Sequence, residues 1–543
     1  MPEPTPIQIK SLPGIKRDGT RLEGDVYVDG QWVRFQRGLP RKIAGYRSIN
    51  RFLSGVPRSI HEYTKDNLTY IHLGSAHAVE RLYIDDSFNT SIIYNRTPTV
   101  GYTDDDENVW QFAVDTQLVG GVPTPLLIAQ VAPNGTCVCN NDGGEVFYGG
   151  LFDTTVLTPL TTIPTGFNAS GGVVALHPYT VVFGNDGYVA WSIPGDPTDF
   201  TGTGSGSLNV TDQKIVRGMA MRGGPGNSPS GLLWSANALI RMSFVGGDPI
   251  FDFDTISAQT SILGSNTVIE YDGVFYWIGV DRFLMFNGVV REVENNLNQN
   301  WFFDGLNYDQ RQKVFAFKVP RFGEIWWCYP RGDNTEPSHA VIYNVRENTW
   351  YDTELPNSGR GAGIFPTVFR KPLLTGVVGN PNPVITRITE AGDTRITEAG
   401  DTRITESSSV PAYRLWLHEE GLDGVDGQSL QPIQSYFETA DISLPVQSQI
   451  NRSTHVLHME PDFVQSGPMT VQLKGRANAR SPEVNGQIKT ITETAETSEQ
   501  QIIYFDDQRR ELRFRFESNC IGGDYQMGLI LAHVQPGDGT IIG

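Results

Sequence analysis

Residues 273–293, which read GVFYWIGVDRFLMFNGVVREV, decide the fold of this chain. An apolar, aromatic run, VFYWI, is followed by a turn that contains Asp281 and then by a second apolar run, FLMF. Two short runs rich in aromatic and β-branched residues, joined by a turn, predict a β-hairpin. The same pattern extends from this hairpin in both directions along the chain.

Hairpins recur through residues 51–380. Four runs, YVAWSIPG, GLLWSANA, VFYWIGVD and EIWWCYPR, place Trp191, Trp234, Trp277 and Trp326 at intervals of 43, 43 and 49 residues. A period of roughly 40–50 residues with strand-like content is typical of a β-propeller. Trp191 lies on the second strand of its hairpin and Trp234 on the first, so the tryptophan spacing does not mark equivalent positions. Six hairpins can be recognised in this region, and their recurrence is the stronger evidence for a propeller. We predict an all-β chain with a propeller of about six blades, for which QFAVDTQLV or GIFPTVFRKPLLTGVV could supply extra strands or a seventh blade.

The segments on either side of the predicted propeller have a different character. Residues 1–50 predict an extended arm with one hairpin at Asp29-Gly30. Residues 381–410 contain TRITEAGD twice in succession and predict a linker or loop. Residues 411–543 contain seven strand-like stretches at short spacing, and we predict a C-terminal β-sandwich or barrel there.

Composition excludes some classes of protein and leaves others open. The net charge of −19 disfavours a protein that holds nucleic acid by neutralising phosphates. No stretch approaches the roughly 18 apolar residues of a membrane span, so we expect none. The N-terminus lacks an apolar leader region, so we expect no secretion by the general pathway. Four cysteines in a chain of 543 residues do not form a disulfide framework.

No catalytic, cofactor or metal motif stands out in the sequence, and we expect no enzyme activity and no cofactor. For the acidic run at residues 419–427 we expect a flexible loop, with calcium binding as the alternative. For Cys137 and Cys139 we expect alternating positions on one strand, and for residues 104–107 a solvated loop. One basic cluster stands out in this acidic chain and is predicted to dock an acidic partner, with a solvated hairpin face as the alternative: Arg34, Arg37, Arg41 and Lys42.

Three passages of the sequence match patterns of one protein family. Residues 29–46, DGQWVRFQRGLPRKIAGY, contain a W-x-R-F-x-x-G-x-P-x-K-x-G-G pattern, with Ala44 where a glycine is usual. AWSIPGDPTDF contains a W-S-x-P-x-D-P-x-x-F pattern with Trp191, Pro194, Asp196 and Phe200. RELRFRFESN and GGDYQMG contain Phe514, Phe516 and Tyr525. In these passages the chain resembles the tail nozzle, or tail-hub, proteins of short-tailed bacteriophages.

This resemblance implies a structural virion protein that forms a ring, commonly of six subunits. Such a ring extends the portal and adaptor rings into a tube, carries tail fibres or spikes, and conducts double-stranded DNA without binding it specifically. The expected location is the virion tail, assembled in the host cytoplasm. The alternative from the residues is a receptor-binding or carbohydrate-processing propeller at the tail tip, because carboxylate pairs for glycoside hydrolysis can lie far apart in a sequence.

Overall fold

The structure is a computed structural model, and it describes residues 4–20, 25–76, 78–99, 109–132, 146–221, 228–356, 359–377, 413–442, 453–478, 480–493 and 502–537. Their regular structure is β-strand apart from one α-helix, Gln299–Gly305, and the 3-10 turns Asn185–Gly187, Ser265–Thr267 and Tyr308–Lys313. The all-β prediction is confirmed. The predicted linker at 381–410 with its repeat, Cys137, Cys139 and residues 104–107 lie outside the described residues.

Six four-stranded antiparallel sheets follow one another along the chain and are accompanied by one six-stranded sheet, and we number them sheets 1 to 7. Sheets 1 to 6 are each built from four strands that are consecutive in sequence. Their strands, in chain order, are Pro57–Lys65, Leu68–Ser75, Val79–Asp85 and Tyr94–Asn95 (sheet 1); Val109–Val119, Val122–Ala132, Val146–Gly150 and Thr158–Pro159 (sheet 2); Gly172–Leu176, Tyr179–Phe183, Tyr188–Trp191 and Gly206–Asn209 (sheet 3); Ile215–Met221, Ser230–Ser235, Leu239–Phe244 and Phe251–Ser257 (sheet 4); Ile269–Tyr271, Val274–Ile278, Phe283–Phe286 and Val290–Glu292 (sheet 5); Phe315–Val319, Glu324–Tyr329, His339–Asn344 and Thr349–Glu354 (sheet 6).

Sheet 7 combines the two ends of this region. Arg360–Ile364 and Leu373–Val377 form a hairpin, Tyr413–His418 pairs with its second strand, and Tyr46–Leu53 from the N-terminal part pairs with Tyr413–His418. Two short strands, Gly424–Asp426 and Ser429–Gln431, extend the sheet. The stretch GIFPTVFRKPLLTGVV thus contributes to the seventh, six-stranded sheet.

The sheets lie side by side in chain order, and the last lies beside the first. The first strand of each sheet contacts the first strand of the next, except between sheets 4 and 5, where the first strand of sheet 4 contacts the turn Ser265–Thr267 that precedes sheet 5. The first strand of sheet 7 contacts the first strand of sheet 1. Packed in this way, the second strands are covered on both faces, which is why Ser230–Ser235 and Glu324–Tyr329 read as continuous apolar runs and are buried at every residue.

A second body, the terminal module, is built from both ends of the chain. Sheet 8 has the order Thr5–Ile9, Ile530–Pro536, Thr454–Glu460 and Ile503–Arg509; sheet 9 has Asp29–Gln31, Ser435–Glu438, Glu511–Ser518, Met469–Arg476 and Val484–Ile491; sheet 10 has Phe463–Ser466, Asp524–Met527, Leu39–Lys42 and Val33–Gln36. Leu12–Ile15 and Val26–Tyr27 form a parallel pair. Strands such as Met469–Arg476 alternate strictly between buried and half-buried residues, as expected for a sheet with one face on a core.

The terminal module shares one hydrophobic core with sheets 6 and 7. Trp32 of the N-terminal part packs edge to face against Trp326 of sheet 6, with ring centroids 6.4 Å apart, and Trp416 of sheet 7 belongs to the same cluster. The strand pairing therefore crosses the predicted boundaries at residues 50 and 411, because strands from the arm complete both sheet 7 and the terminal module. Among the described residues, no helix has the length and apolar character needed to cross a membrane.

Candidate functional site

The first strands of the sheets line a central, partly open cavity of about 330 Å³. Its wall comes from sheets 1, 2, 4, 5, 6 and 7 and includes both aromatic and charged side chains: Arg58, His61, Trp110, Gln111, Phe112, Arg217, Glu270, Phe315 and Lys318. A cavity of this volume accommodates one small molecule and is far too small for a DNA duplex.

Arg217 is the cavity cation with the weakest protein partners. One guanidinium nitrogen donates to Gln111 Oε1 at 3.4 Å, and Gln111 is held in place because its own amide donates to the Gly171 carbonyl at 2.7 Å. Among the described residues, no carboxylate forms an ion pair with Arg217. Burial lowers the pKa of Arg217 to about 10, so the group stays charged at neutral pH. A desolvated cation without a counterion favours an anion beside it.

The other charged groups of the cavity have partners within the chain. Arg58 donates to both carboxylate oxygens of Glu336, and Lys318 donates to Glu270 Oε2 at 3.1 Å. Burial lowers the pKa of His61 to about 4, so its ring is neutral at pH 7. Ser59 donates its hydroxyl to the Trp110 carbonyl rather than to an imidazole. The lining is therefore suited to binding a small anion through Arg217 rather than to nucleophilic catalysis.

Arg34, which the sequence predicted to dock a partner, is 1% exposed and lies inside the chain. It forms ion pairs with Glu324 of sheet 6, at 2.9 Å, and with Glu419 of the loop after Tyr413–His418. Its guanidinium also lies 3.8 Å from the centre of the Phe322 ring. Burial opposes the charged form, but the two carboxylates outweigh it and raise the pKa of Arg34. Arg34 therefore joins the arm to sheets 6 and 7.

The other three members of the predicted docking cluster do not act together. Lys42 is 2% exposed and donates to the Gly523 carbonyl at 2.7 Å. Arg41 is half-buried and donates to Gln36 Oε1 at 2.9 Å. Arg37 is exposed, and its backbone amide donates to Glu347 Oε1 at 2.9 Å. Arg34 and Lys42 are thus not available to a partner at the surface of the chain, because protein groups already satisfy them.

The acidic run at residues 419–427 is part of the same interface. Glu420 forms an ion pair with Lys371, and Asp426 with Arg414. Both carboxylate oxygens of Asp423 accept from the backbone amide of Gly522, each at 2.9 Å. With Glu419 bound to Arg34, each carboxylate of the run has a donor from the protein, which leaves little support for the calcium alternative.

The tryptophans of the predicted repeat lie between sheets. Trp234 and Trp277 stand edge to face across sheets 4 and 5, with centroids 5.8 Å apart, and Trp191 packs against Phe251 of sheet 4. Trp234, Trp277 and Trp326 lie on second strands, whereas Trp191 lies on a third strand. The even spacing therefore does not follow equivalent positions, although all four side chains stabilise packing.

The remaining signature residues are also structural. Asp196 accepts from the amide and hydroxyl of Thr198 and from Gln117 Nε2 at 3.0 Å, which ties the AWSIPGDPTDF turn to sheet 2. Phe200 is buried, whereas Pro194 is exposed. In the terminal module, three aromatic side chains are buried in the shared core: Phe514, Phe516 and Tyr525.

One group of chemically capable residues was missed by sequence reasoning. His458, Glu460 and His533 come together on the outer face of sheet 8. Glu460 and His533 are 73 residues apart in sequence, so no local spacing signals the group. Comparisons of the chain with protein-family models and with curated proteins give no match.

Proposed function

We propose that the chain is a structural subunit of a bacteriophage tail nozzle, a ring-shaped assembly that continues the portal and adaptor channel and conducts DNA during ejection. In this proposal the protein has no enzyme activity and needs no cofactor. Its partners are further copies of itself, commonly six in all, together with adaptor or portal ring proteins and tail fibres or spikes. It acts in the virion tail after assembly in the host cytoplasm.

The architecture that we infer is a β-propeller of seven blades joined to a β-sandwich-like terminal module. The observation that carries this inference is the cyclic order of the sheets, in which the first strand of sheet 7 lies against the first strand of sheet 1. The seventh blade exists because Tyr46–Leu53 supplies its fourth strand. A propeller closed by strands from both ends of the chain is a stable scaffold.

The connection between the two bodies supports a mechanical role. Arg34 links the arm to Glu324 and Glu419, and Arg17 reaches Asp352 of sheet 6 at 3.0 Å. Residues next to Arg34 and Asp352 in sequence, Val33, Phe35 and Tyr351, belong to the shared hydrophobic core. A subunit of this kind resists bending between its two bodies, as the wall of a tube requires.

The charge of the chain supports passage of DNA rather than its retention. Each copy adds a net charge of −19. A basic bore would hold the phosphates at every step, whereas an acidic or neutral bore lets the duplex slide. Since the central cavity is too small for DNA, the bore must lie between subunits.

Electron microscopy and mass photometry of the purified chain, alone and with an adaptor ring, test this proposal. We expect closed rings of several copies around an opening wide enough for a duplex. A chain that remains monomeric under both conditions would contradict a nozzle.

The central cavity favours one second candidate, recognition of an acidic saccharide by a tail-tip protein. Arg217 would supply the cation, and the half-buried Phe112 would supply aromatic surface. In that case a sialic or uronic acid would raise the melting temperature of the chain, and Arg217→Gln would abolish the shift. Binding that depends on Arg217 without ring formation would favour this candidate over the nozzle.

A further inference from the structure

The outer face of sheet 8 is rich in histidine. The chain contains nine histidines, and three of them lie on this face, His455, His458 and His533. The other six histidines of the chain lie between residues 61 and 418, outside the strands of the terminal module. The face therefore concentrates the side chain that most often binds transition metals in proteins.

A β-bulge places His458 on this face. Val456 is opposite Val534, and His458 is opposite His533. Two residues of Thr454–Glu460 therefore span the distance covered by one residue of Ile530–Pro536, and Leu457 is the extra residue. With strict alternation after the buried residues Thr454 and Val456, His458 would point into the core; instead Met459 is buried. Bulges commonly re-aim a side chain in this way beside functional sites.

The result is a compact group of three potential ligands. His533 Nε2 lies 2.8 Å from Glu460 Oε1. The rings of His458 and His533 are stacked, with centroids 4.1 Å apart and planes at 16°. One ligand atom from each of the three residues lies within 4.8 Å of the other two. Burial, and then the neighbouring His533, lower the pKa of His458, which favours the neutral ring that a metal requires.

We propose that His458, Glu460 and His533 form a binding site for a divalent transition-metal cation, with Zn²⁺ as its first candidate. Two imidazoles and one carboxylate are a ligand set that suits zinc, whereas calcium and magnesium prefer oxygen ligands only. Zn–N distances of about 2.0–2.1 Å require small rotations of the side chains, which their exposure allows. Three protein ligands leave the fourth tetrahedral position to water.

Isothermal titration calorimetry of the full chain after chelator treatment tests this site. Zn²⁺ is titrated above the ordinary histidine pKa of about 6.5, and Mg²⁺ is titrated as a hard-cation control. We expect one equivalent of Zn²⁺ to bind and Mg²⁺ to give no comparable heat. His458→Ala and His533→Ala should each weaken Zn²⁺ binding roughly tenfold or more, and Glu460→Gln should weaken it in the same direction.

His455→Ala is the matched control, because His455 lies on the same face and is bonded to Asp506 at 2.9 Å. The residue opposite His455 on Ile530–Pro536 is Gln535 and not a histidine. It should bind Zn²⁺ like the unchanged chain. Circular dichroism and melting temperatures of the metal-free variants verify folding. Absence of Zn²⁺ binding, or equal affinity in the His458→Ala/His533→Ala double variant, would overturn the proposal and leave Glu460 and His533 as a simple ion pair.

Discussion

At the scale of single residues, Arg34 has the largest structural consequence. Its charge is buried between Glu324 of sheet 6 and Glu419 of the loop after Tyr413–His418. We expect Arg34→Ala to lower the free energy of unfolding by about 3–5 kcal/mol, because it leaves the buried carboxylate of Glu324 and the half-buried carboxylate of Glu419 without their cation.

Urea unfolding of the purified variant measures this loss. Arg37→Ala is the control, since Arg37 is exposed, and its effect should stay within about 0.5 kcal/mol. A loss at Arg34 no larger than that at Arg37 would contradict the buried ion-pair interface.

Buried histidines predict the dependence of stability on pH. Burial lowers the pKa of His72 well below its usual value, and the neighbouring His61 and Arg96 lower it further. As the pH falls below about 6.5, the unfolded chain takes up a proton at this position and the folded chain does not. The free energy of unfolding should therefore fall by about 1.4 kcal/mol per pH unit on account of His72 alone.

His72→Met removes this contribution, so its stability should decrease less steeply than that of the unchanged chain between about pH 6.5 and pH 5. Urea unfolding at a series of pH values measures both slopes. Parallel slopes would mean that His72 is protonated in the folded chain.

Residue patterns in the sequence predicted the buried core more accurately than they predicted where the charged side chains lie. The apolar tryptophan runs are buried as their composition predicts. Arg34 and Lys42 were expected at the surface because arginine and lysine are rarely buried without partners. The partners of Arg34 are 290 and 385 residues away in sequence, so its burial could not be read from its neighbours. His533 and Glu460 are likewise 73 residues apart in sequence, so their contact could not be read from their neighbours.

At the scale of elements, close packing between sheets 1 and 2 depends on one glycine. A Cβ atom at Gly74 would lie 2.4 Å from the Trp110 ring, whose indole nitrogen donates to Ser75 at 2.9 Å. We expect Gly74→Ala to destabilise the chain by about 1–3 kcal/mol, since the buried tryptophan must move.

Thermal and urea unfolding measure the effect of Gly74→Ala. Gly247→Ala is the matched control, because a Cβ there meets no atom within 4 Å and the backbone needs no left-handed conformation. A change at Gly74 as small as that at Gly247 would show that the two sheets are not packed this closely.

Elements were predictable where pairing is local. The hairpins of sheets 1 to 6 follow from alternation and turn residues, since each strand pairs with the next in sequence. Sheet 7 was predictable only in its first two strands. Its third and fourth strands, Tyr413–His418 and Tyr46–Leu53, come from opposite ends of the chain, and a local pattern cannot identify a distant partner.

At the scale of the whole molecule, strands from the N-terminal and C-terminal parts of the chain pair in one sheet. Tyr413–His418 lies between Leu373–Val377 and Tyr46–Leu53 in one sheet. We therefore expect that a chain cut at a specific protease site inserted within residues 386–406 stays together, because pairing and the shared core connect both fragments.

Size-exclusion chromatography of the cut chain measures this association. The fragments should co-elute under native conditions and separate in denaturant. Separation without denaturant would indicate that sheet 7 is not completed across the cut.

The closing of sheet 7 also sets an order of events during synthesis. Ser48 and Arg414, which are neighbours in that sheet, are 366 residues apart. At roughly 5–20 residues per second, the ribosome needs roughly 20–70 s after Tyr46–Leu53 to synthesise its partner strand, Tyr413–His418. Throughout that interval Tyr46–Leu53 has been synthesised but its hydrogen-bonding edge is unpaired, because the last quarter of the message encodes its partner strand. A nascent chain of this protein is therefore exposed to mispairing for most of its translation, and the finished ring of sheets forms near the end.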